Sequence, residues 1–118
     1  MDFEVICCGV DDAKPLLYQW EIHDSRTGDL LARYIGKAVR GSRRPLRHYE
    51  RNVGRLIAGM AYRKSKPDGF RRVHRALAEA VSAGNRITLT LLRNVGPDED
   101  INEAERLAIR ASSCTLNG

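Results

Sequence analysis

Arginine is the residue whose number and spacing carry most chemistry in this 118-residue chain, which has 16 of them against four lysines. A guanidinium presents a planar fork of N–H donors that matches two oxygens of a phosphate, whereas an ammonium meets them as a point charge. The basic residues are also clustered. Between Arg33 and Arg75 lie 14 of the 20, with only Glu50 and Asp68 among them, for a net +12. The rest of the chain, six bases against 13 acids, carries −7, a separation that the overall +5 hides. A segment of such uncompensated charge is the footprint of a polyanion-binding surface rather than of an ordinary solvated helical face.

Other chemistry is sparser. Cys7, Cys8 and Cys114 form no CxxC pair and no Cys/His ligand spacing, so no structural zinc site is expected. Cys7 and Cys8, inside the apolar stretch Val5–Val10, read as small buried hydrophobes in a reducing compartment. His23 and His74 stand at no telling distance from a partner. No stretch approaches the roughly 20 apolar residues that cross a membrane. The start Met1-Asp2-Phe3-Glu4 lacks the basic opening of a signal peptide, so a cytoplasmic location is expected. At 42% hydrophobic the chain is too apolar for a disordered tail, and its length suits one domain with its own core.

The elements that must carry the arginines follow from periodicity. Residues 16–22 alternate Leu16, Tyr18, Trp20 and Ile22 with other side chains, and Asp24–Asp29 supplies turn residues. Residues 30–36 then complete a β-hairpin. Residues 3–10 would add an edge strand. From Ser42 to about Tyr62, Leu46, Tyr49, Val53, Leu56, Ile57 and Met60 form a helical stripe, with Arg44, His48, Arg51 and Arg55 opposite. Pro45 is tolerated in the first turn. Asp68 would cap a second helix over 69–83 that buries Phe70, Val73, Leu77 and Val81 and ends at Gly84-Asn85. Residues 86–92 form the clearest strand, and a third helix runs from about Asp100 to Ala111. With three or four strands and no βαβ repeat, the class is α+β: a small, mainly antiparallel sheet flanked by three helices.

In this order of elements the sequence resembles the GIY-YIG nuclease superfamily. Tyr34-Ile35-Gly36 matches the family's second tripeptide and is followed by Lys37-Ala38, as is common there. Arg44 stands ten residues after Tyr34, where the family arginine is expected, and His48 follows four residues later. Glu105 and Asn117 stand twelve apart, similar to the excision-repair and restriction branches. The first tripeptide departs: Leu16-Leu17-Tyr18 keeps the tyrosine and loses the glycine. The hairpin between Tyr18 and Tyr34 is a few residues longer than usual, and Pro45 directly follows Arg44. The resemblance covers about 16–117, so residues 15–118 are assigned to the nuclease-like domain and 1–14 to an N-terminal extension.

What the resemblance implies is phosphodiester hydrolysis in DNA with Mg²⁺ or Mn²⁺, a hard cation content with one carboxylate plus waters and substrate oxygens. Glu105 is the implied metal ligand. Capping-box spacing, Asn102 to Glu105 and Asp100 to Glu103, gives both glutamates a structural alternative, and Glu103 is the second choice. Arg44 would contact the scissile phosphate. Tyr18 or Tyr34 would deprotonate or position the attacking water, and a phenol with a pKa near ~10 needs a nearby cation for that, from Lys37, Arg44 or the metal. His48 would orient the water or relay a proton. Gly36, Lys37 and Asn117 would support the site, Asn117 by amide hydrogen bonds. Arg40, Arg43, Arg47, Arg51, Arg55, Arg63, Lys64, Arg71 and Arg72 would hold flanking DNA backbone, which positions without reading sequence. Target choice would come from DNA structure, dimerisation or a partner protein. The competing expectation is a nucleic-acid-binding module that keeps this fold and has lost cleavage.

Overall fold

The alternation over 16–22 becomes one buried face of a four-stranded sheet. The computed structural model describes residues 3–117 and, of Arg44, the backbone only. In chain order the elements are β1 (Glu4–Ile6), β2 (Leu16–His23), β3 (Leu30–Ala38), α1 (Tyr49–Ile57), α2 (Arg72–Ala83), β4 (Arg86–Asn94) and α3 (Ile101–Ala111). A five-residue π-helical turn, Arg44–His48, runs directly into α1 and takes Pro45 in its first turn, where the missing N–H costs least.

The sheet is mixed, with order β1-β4-β2-β3. β2 pairs antiparallel with both β3 and β4, and β1 joins the outer side of β4 in parallel. The hairpin closes because Asp24 Oδ1 accepts from the backbone N–H groups of Arg26 and Thr27, while Gly28 takes the left-handed conformation at φ 77°. Leu16, Tyr18, Trp20 and Ile22 face the same way as Ile87, Leu89 and Leu91 of β4. α1 and α2 cover that face with Tyr49, Val53, Val73, Leu77 and Ala80. Leu17, on the other face, packs with Val95 and with Ala104 of α3. A one-residue bulge at Leu92 interrupts β4 opposite Leu17 and Tyr18, the kind of irregularity that re-aims side chains.

Five expectations are corrected. The strand expected over 3–10 is only Glu4–Ile6, because Cys7–Val10 turns back with Cys8 at φ 49° and a Val10 N–H to Cys7 carbonyl bond. Cys7 and Cys8 are therefore exposed rather than buried. The first helix stops at Ile57, not Tyr62. Gly59, at φ 70°, closes it with bonds from Gly59 N to Leu56 O and from Met60 N to Arg55 O, a Schellman motif. Ile57 and Met60, expected on the buried stripe, are 48% and 55% exposed. The second helix begins at Arg72 and is not capped by Asp68: Lys66–Gly69 closes as a turn, and His74 Nδ1 accepts the Arg71 N–H. In α3, Asp100 takes the capping role, accepting from the N–H groups of Asn102 and Glu103. No helix among the described residues is long and apolar enough to cross a membrane.

Candidate active site

Strand register decides which tyrosines meet. Tyr18 lies opposite Gly36 and Trp20 opposite Tyr34, so Tyr18, Tyr34 and Gly36 share the face covered by α1 and α2. Tyr18 is 1% exposed, and its ring centroid is 6.4 Å from that of Tyr34 and 5.8 Å from that of Tyr49. Tyr18 Oη and Tyr49 Oη are hydrogen-bonded at 2.9 Å. Arg71, at the N-cap of α2, donates from Nη2 to Tyr49 Oη at 2.5 Å and from Nη1 to Tyr34 Oη at 3.2 Å. One guanidinium thus ties the phenols of β3 and α1 together, and the Tyr18 phenol of β2 joins them through Tyr49.

Burial pushes the Tyr49 phenol far above its usual range, with the neighbouring tyrosines acting in the same direction. Tyr49 therefore stays neutral and can pass or share a proton but not act as an anion. Burial opposes the charge on Arg71, and the Tyr49, Tyr34 and Tyr18 hydroxyls outweigh it, so the guanidinium is held above even the ordinary arginine range.

Above this network opens a cleft of about 660 Å³. It is lined by Tyr18, Tyr34 and Lys37 of the sheet, by Arg40 and Arg43 of the turn after β3, and by His48, Arg71 and Glu105. Glu105 is half-buried and is the only acid lining the cleft among the described residues. Glu103 points elsewhere and pairs with Arg106, so of the two glutamates Glu105 is the one brought to the tyrosines. Lys37 Nζ bonds Asn102 of α3, which ties β3 to the helix carrying Glu105. The expectation for the Arg44 side chain lies outside the described residues.

Asn117 makes a paired contact with one backbone unit of β3: Ile35 N donates to its Oδ1 at 2.9 Å and its Nδ2 donates to Ile35 O at 2.7 Å. The amide thus extends the sheet edge beside Tyr34, while Leu116 N donates to Arg33 O. Asn117→Ala should cost roughly 1–3 kcal/mol, two part-buried hydrogen bonds at ~0.5–1.5 each. The loss is read as a lower urea midpoint at unchanged slope.

Arg40, Arg43, Arg47, Arg51, Arg63, Lys64 and Arg72 are exposed. Arg55 is half-buried and donates to the Ala61 carbonyl, closing the loop after α1, so it is less available to a ligand than its helical position suggested. The five ion pairs among the described residues use Lys14, Arg33, Arg86, Arg93 and Arg106. From Lys37 to Arg75, the Arg44 side chain aside, none of the basic residues is neutralised by an acid.

Sequence reasoning missed Tyr49 and misjudged Arg71. Tyr49 was a member of an apolar stripe, and helical spacing does not reveal that its hydroxyl crosses to β2. Arg71 was one of many flanking arginines. Its position three residues before His74, the span of a cap, was the available signal. No family model, no curated protein and no solved structure matches the chain.

Proposed function

We propose that this chain is a divalent-metal-dependent endonuclease that hydrolyses phosphodiester bonds in DNA, on a GIY-YIG-like fold whose sheet is antiparallel apart from the edge strand β1. The observation that carries the reading is convergence: Tyr34 from β3, His48 from the π-helical turn, Arg71 from the cap of α2 and Glu105 from α3 line one cleft. Apart from Tyr18 and Glu105, the residues that line that cleft belong to the segment of net +12.

The residues fit a hard cation held by a single carboxylate. Glu105 takes part in none of the ion pairs among the described residues. Among the described residues, no three His, Cys, Asp or Glu side chains come together to form a closed metal cage. Mg²⁺ commonly binds through one or two carboxylates with waters and substrate oxygens. When bound, it supplies Lewis-acid polarisation of the phosphate.

The chain's own residues account for the remaining chemistry. Arg40, Arg43 and Arg71 would face the non-bridging oxygens, where charge develops in the transition state. Tyr34 is half-buried at the cleft, which makes it better placed than the buried Tyr18 to hold the attacking water and to relay its proton, taking it up as its own hydroxyl proton passes to solvent. The water oxygen bonds to phosphorus as the bond to the leaving sugar oxygen breaks. His48, on the same cleft, would pass a proton to that oxygen.

The test is a cleavage assay on nicked, branched, single-stranded and plain duplex DNA with Mg²⁺, Mn²⁺ or EDTA. Cutting that requires the metal supports the reading, and binding with no cutting on any substrate replaces it with the binding module. For the basic face, Arg47→Ala should flatten the slope of log K against log salt by about 0.9 on duplex DNA. An unchanged slope would remove Arg47 from the interface.

A further inference from the structure

Beside the first cleft lies a second, of about 260 Å³, which shares His48 and Arg71 with it. α1 contributes Arg51 and Asn52 to its lining, and the loop after α1 contributes Tyr62 and Arg63. No carboxylate lines it among the described residues, and none of the three arginines is in an ion pair there. Two of the five N–H donors of Arg71 go to tyrosine hydroxyls.

The lining is also held in place. The Arg63 guanidinium lies over the Tyr62 ring, 5.1 Å from its centroid. Arg71 is anchored at its backbone by the buried ring of His74, whose other nitrogen faces the buried Asn52 amide at 3.5 Å. Tyr62 and His74 stack at 6.4 Å. Three guanidinium groups around a concave polar space, with no acid to neutralise them, favour an anion with several acceptor oxygens. The volume falls below the roughly 300–1,000 Å³ of pockets for drug-sized ligands, which suits a charged group better than a base with its sugar.

We infer that this second cleft is a phosphate subsite that holds the backbone phosphodiester next to the one being cut. The placement relative to the cut rests on the nuclease reading of the first cleft; the affinity for phosphate does not. Arg71, shared by both clefts, would then set the spacing between two successive phosphates, and strand position would be fixed without any contact to a base.

The experiment is a ¹H–¹⁵N titration of the full chain in EDTA, with inorganic phosphate, d(TpT) or d(TpTpT) as probe. The amides of Arg51, Asn52 and Arg63 are expected to shift with each, and d(TpTpT) should saturate at least tenfold lower than d(TpT). Arg51→Gln with Arg63→Gln should weaken d(TpTpT) binding at least tenfold and bring it level with d(TpT). Both side chains are exposed, and the same spectra report whether the fold is kept. Shifts with inorganic phosphate but no gain from d(TpT) to d(TpTpT) would mean a free-anion site and overturn the assignment. So would the absence of shifts with every probe. Because no cutting occurs in EDTA, the titration reads the subsite whether or not the first cleft hydrolyses DNA.

Discussion

Glu105→Ala is expected to lower metal-dependent cleavage at least ~100-fold and to leave DNA affinity within about twofold. The magnitude is that of removing a principal electrostatic element from a phosphoryl-transfer site. Affinity should survive because, in the proposed complex, the side chain would be an acid facing a polyanion, and the arginines proposed to meet the backbone lie on other elements. Stability should change little, since Glu105 takes part in no ion pair among the described residues. Glu103→Ala is the control. Glu103 is engaged with Arg106 one turn along an exposed face, and such surface pairs contribute only ~0.2–1 kcal/mol. Single-turnover cleavage and anisotropy on the same substrate separate the outcomes. Equal cutting by Glu105→Ala and the wild type would remove the metal-ligand role, and a loss in Glu103→Ala alone would transfer it.

The same pair of glutamates shows where sequence reading reaches and where it stops. Helix periodicity leaves Glu103 and Glu105 both flanking the apolar stripe, and capping-box spacing suits each. What separates them is tertiary: Ala104 packs on Leu17, Lys37 reaches Asn102, and this rotation of α3 turns Glu105 to the cleft and leaves Glu103, with its helix neighbour Arg106, on the exposed side. The hairpin was legible because a strand alternates faces residue by residue, so Leu16, Tyr18, Trp20 and Ile22 declare a buried side. α1 was overrun because Ile57 and Met60 continue its apolar spacing, whereas Gly59 ends the helix through backbone geometry that a hydropathy pattern does not contain. The network of Arg71 with Tyr34 and Tyr49 was hidden for a further reason. Its members are set by how α1 and α2 pack together, and the capping distance from residue 71 to His74 fixes a backbone position without saying that the guanidinium reaches two phenols, while the neighbouring Arg72 contributes nothing to the cleft lining. The buried pair Asn52 and His74 was hidden in the same way, as one more polar residue on each of two helices.

Gly36→Ala is expected to cost roughly 1–3 kcal/mol in stability, the range for overpacking a tight interior, and to reduce cleavage on the order of 100-fold. Nothing in the backbone conformation of β3 requires glycine there; the requirement is space. A Cβ at position 36 would lie 2.5 Å from both Cζ and Oη of Tyr18. Tyr18 has no room to yield, because it is 1% exposed, packs edge-on against Tyr49 and is bonded to the Tyr49 hydroxyl. The methyl must push the Tyr18 ring, the ring must push Tyr49, and Arg71, bonded to Tyr49, carries Tyr34 with it. A displacement near 1 Å at reacting groups can cost ~100-fold in rate, so a substitution that touches no substrate reaches the chemistry through three side chains. A second substitution separates packing from catalysis. Tyr18→Leu removes the atoms that the methyl strikes, so Gly36→Ala combined with Tyr18→Leu should be more stable than the sum of the single losses, as expected for residues in contact. Cleavage should not recover in the double variant, because the hydroxyl link from β2 to Tyr49 is gone. Additive stabilities would mean that the methyl is accommodated elsewhere in β3, and wild-type cutting by Gly36→Ala would detach the tyrosine network from the reaction.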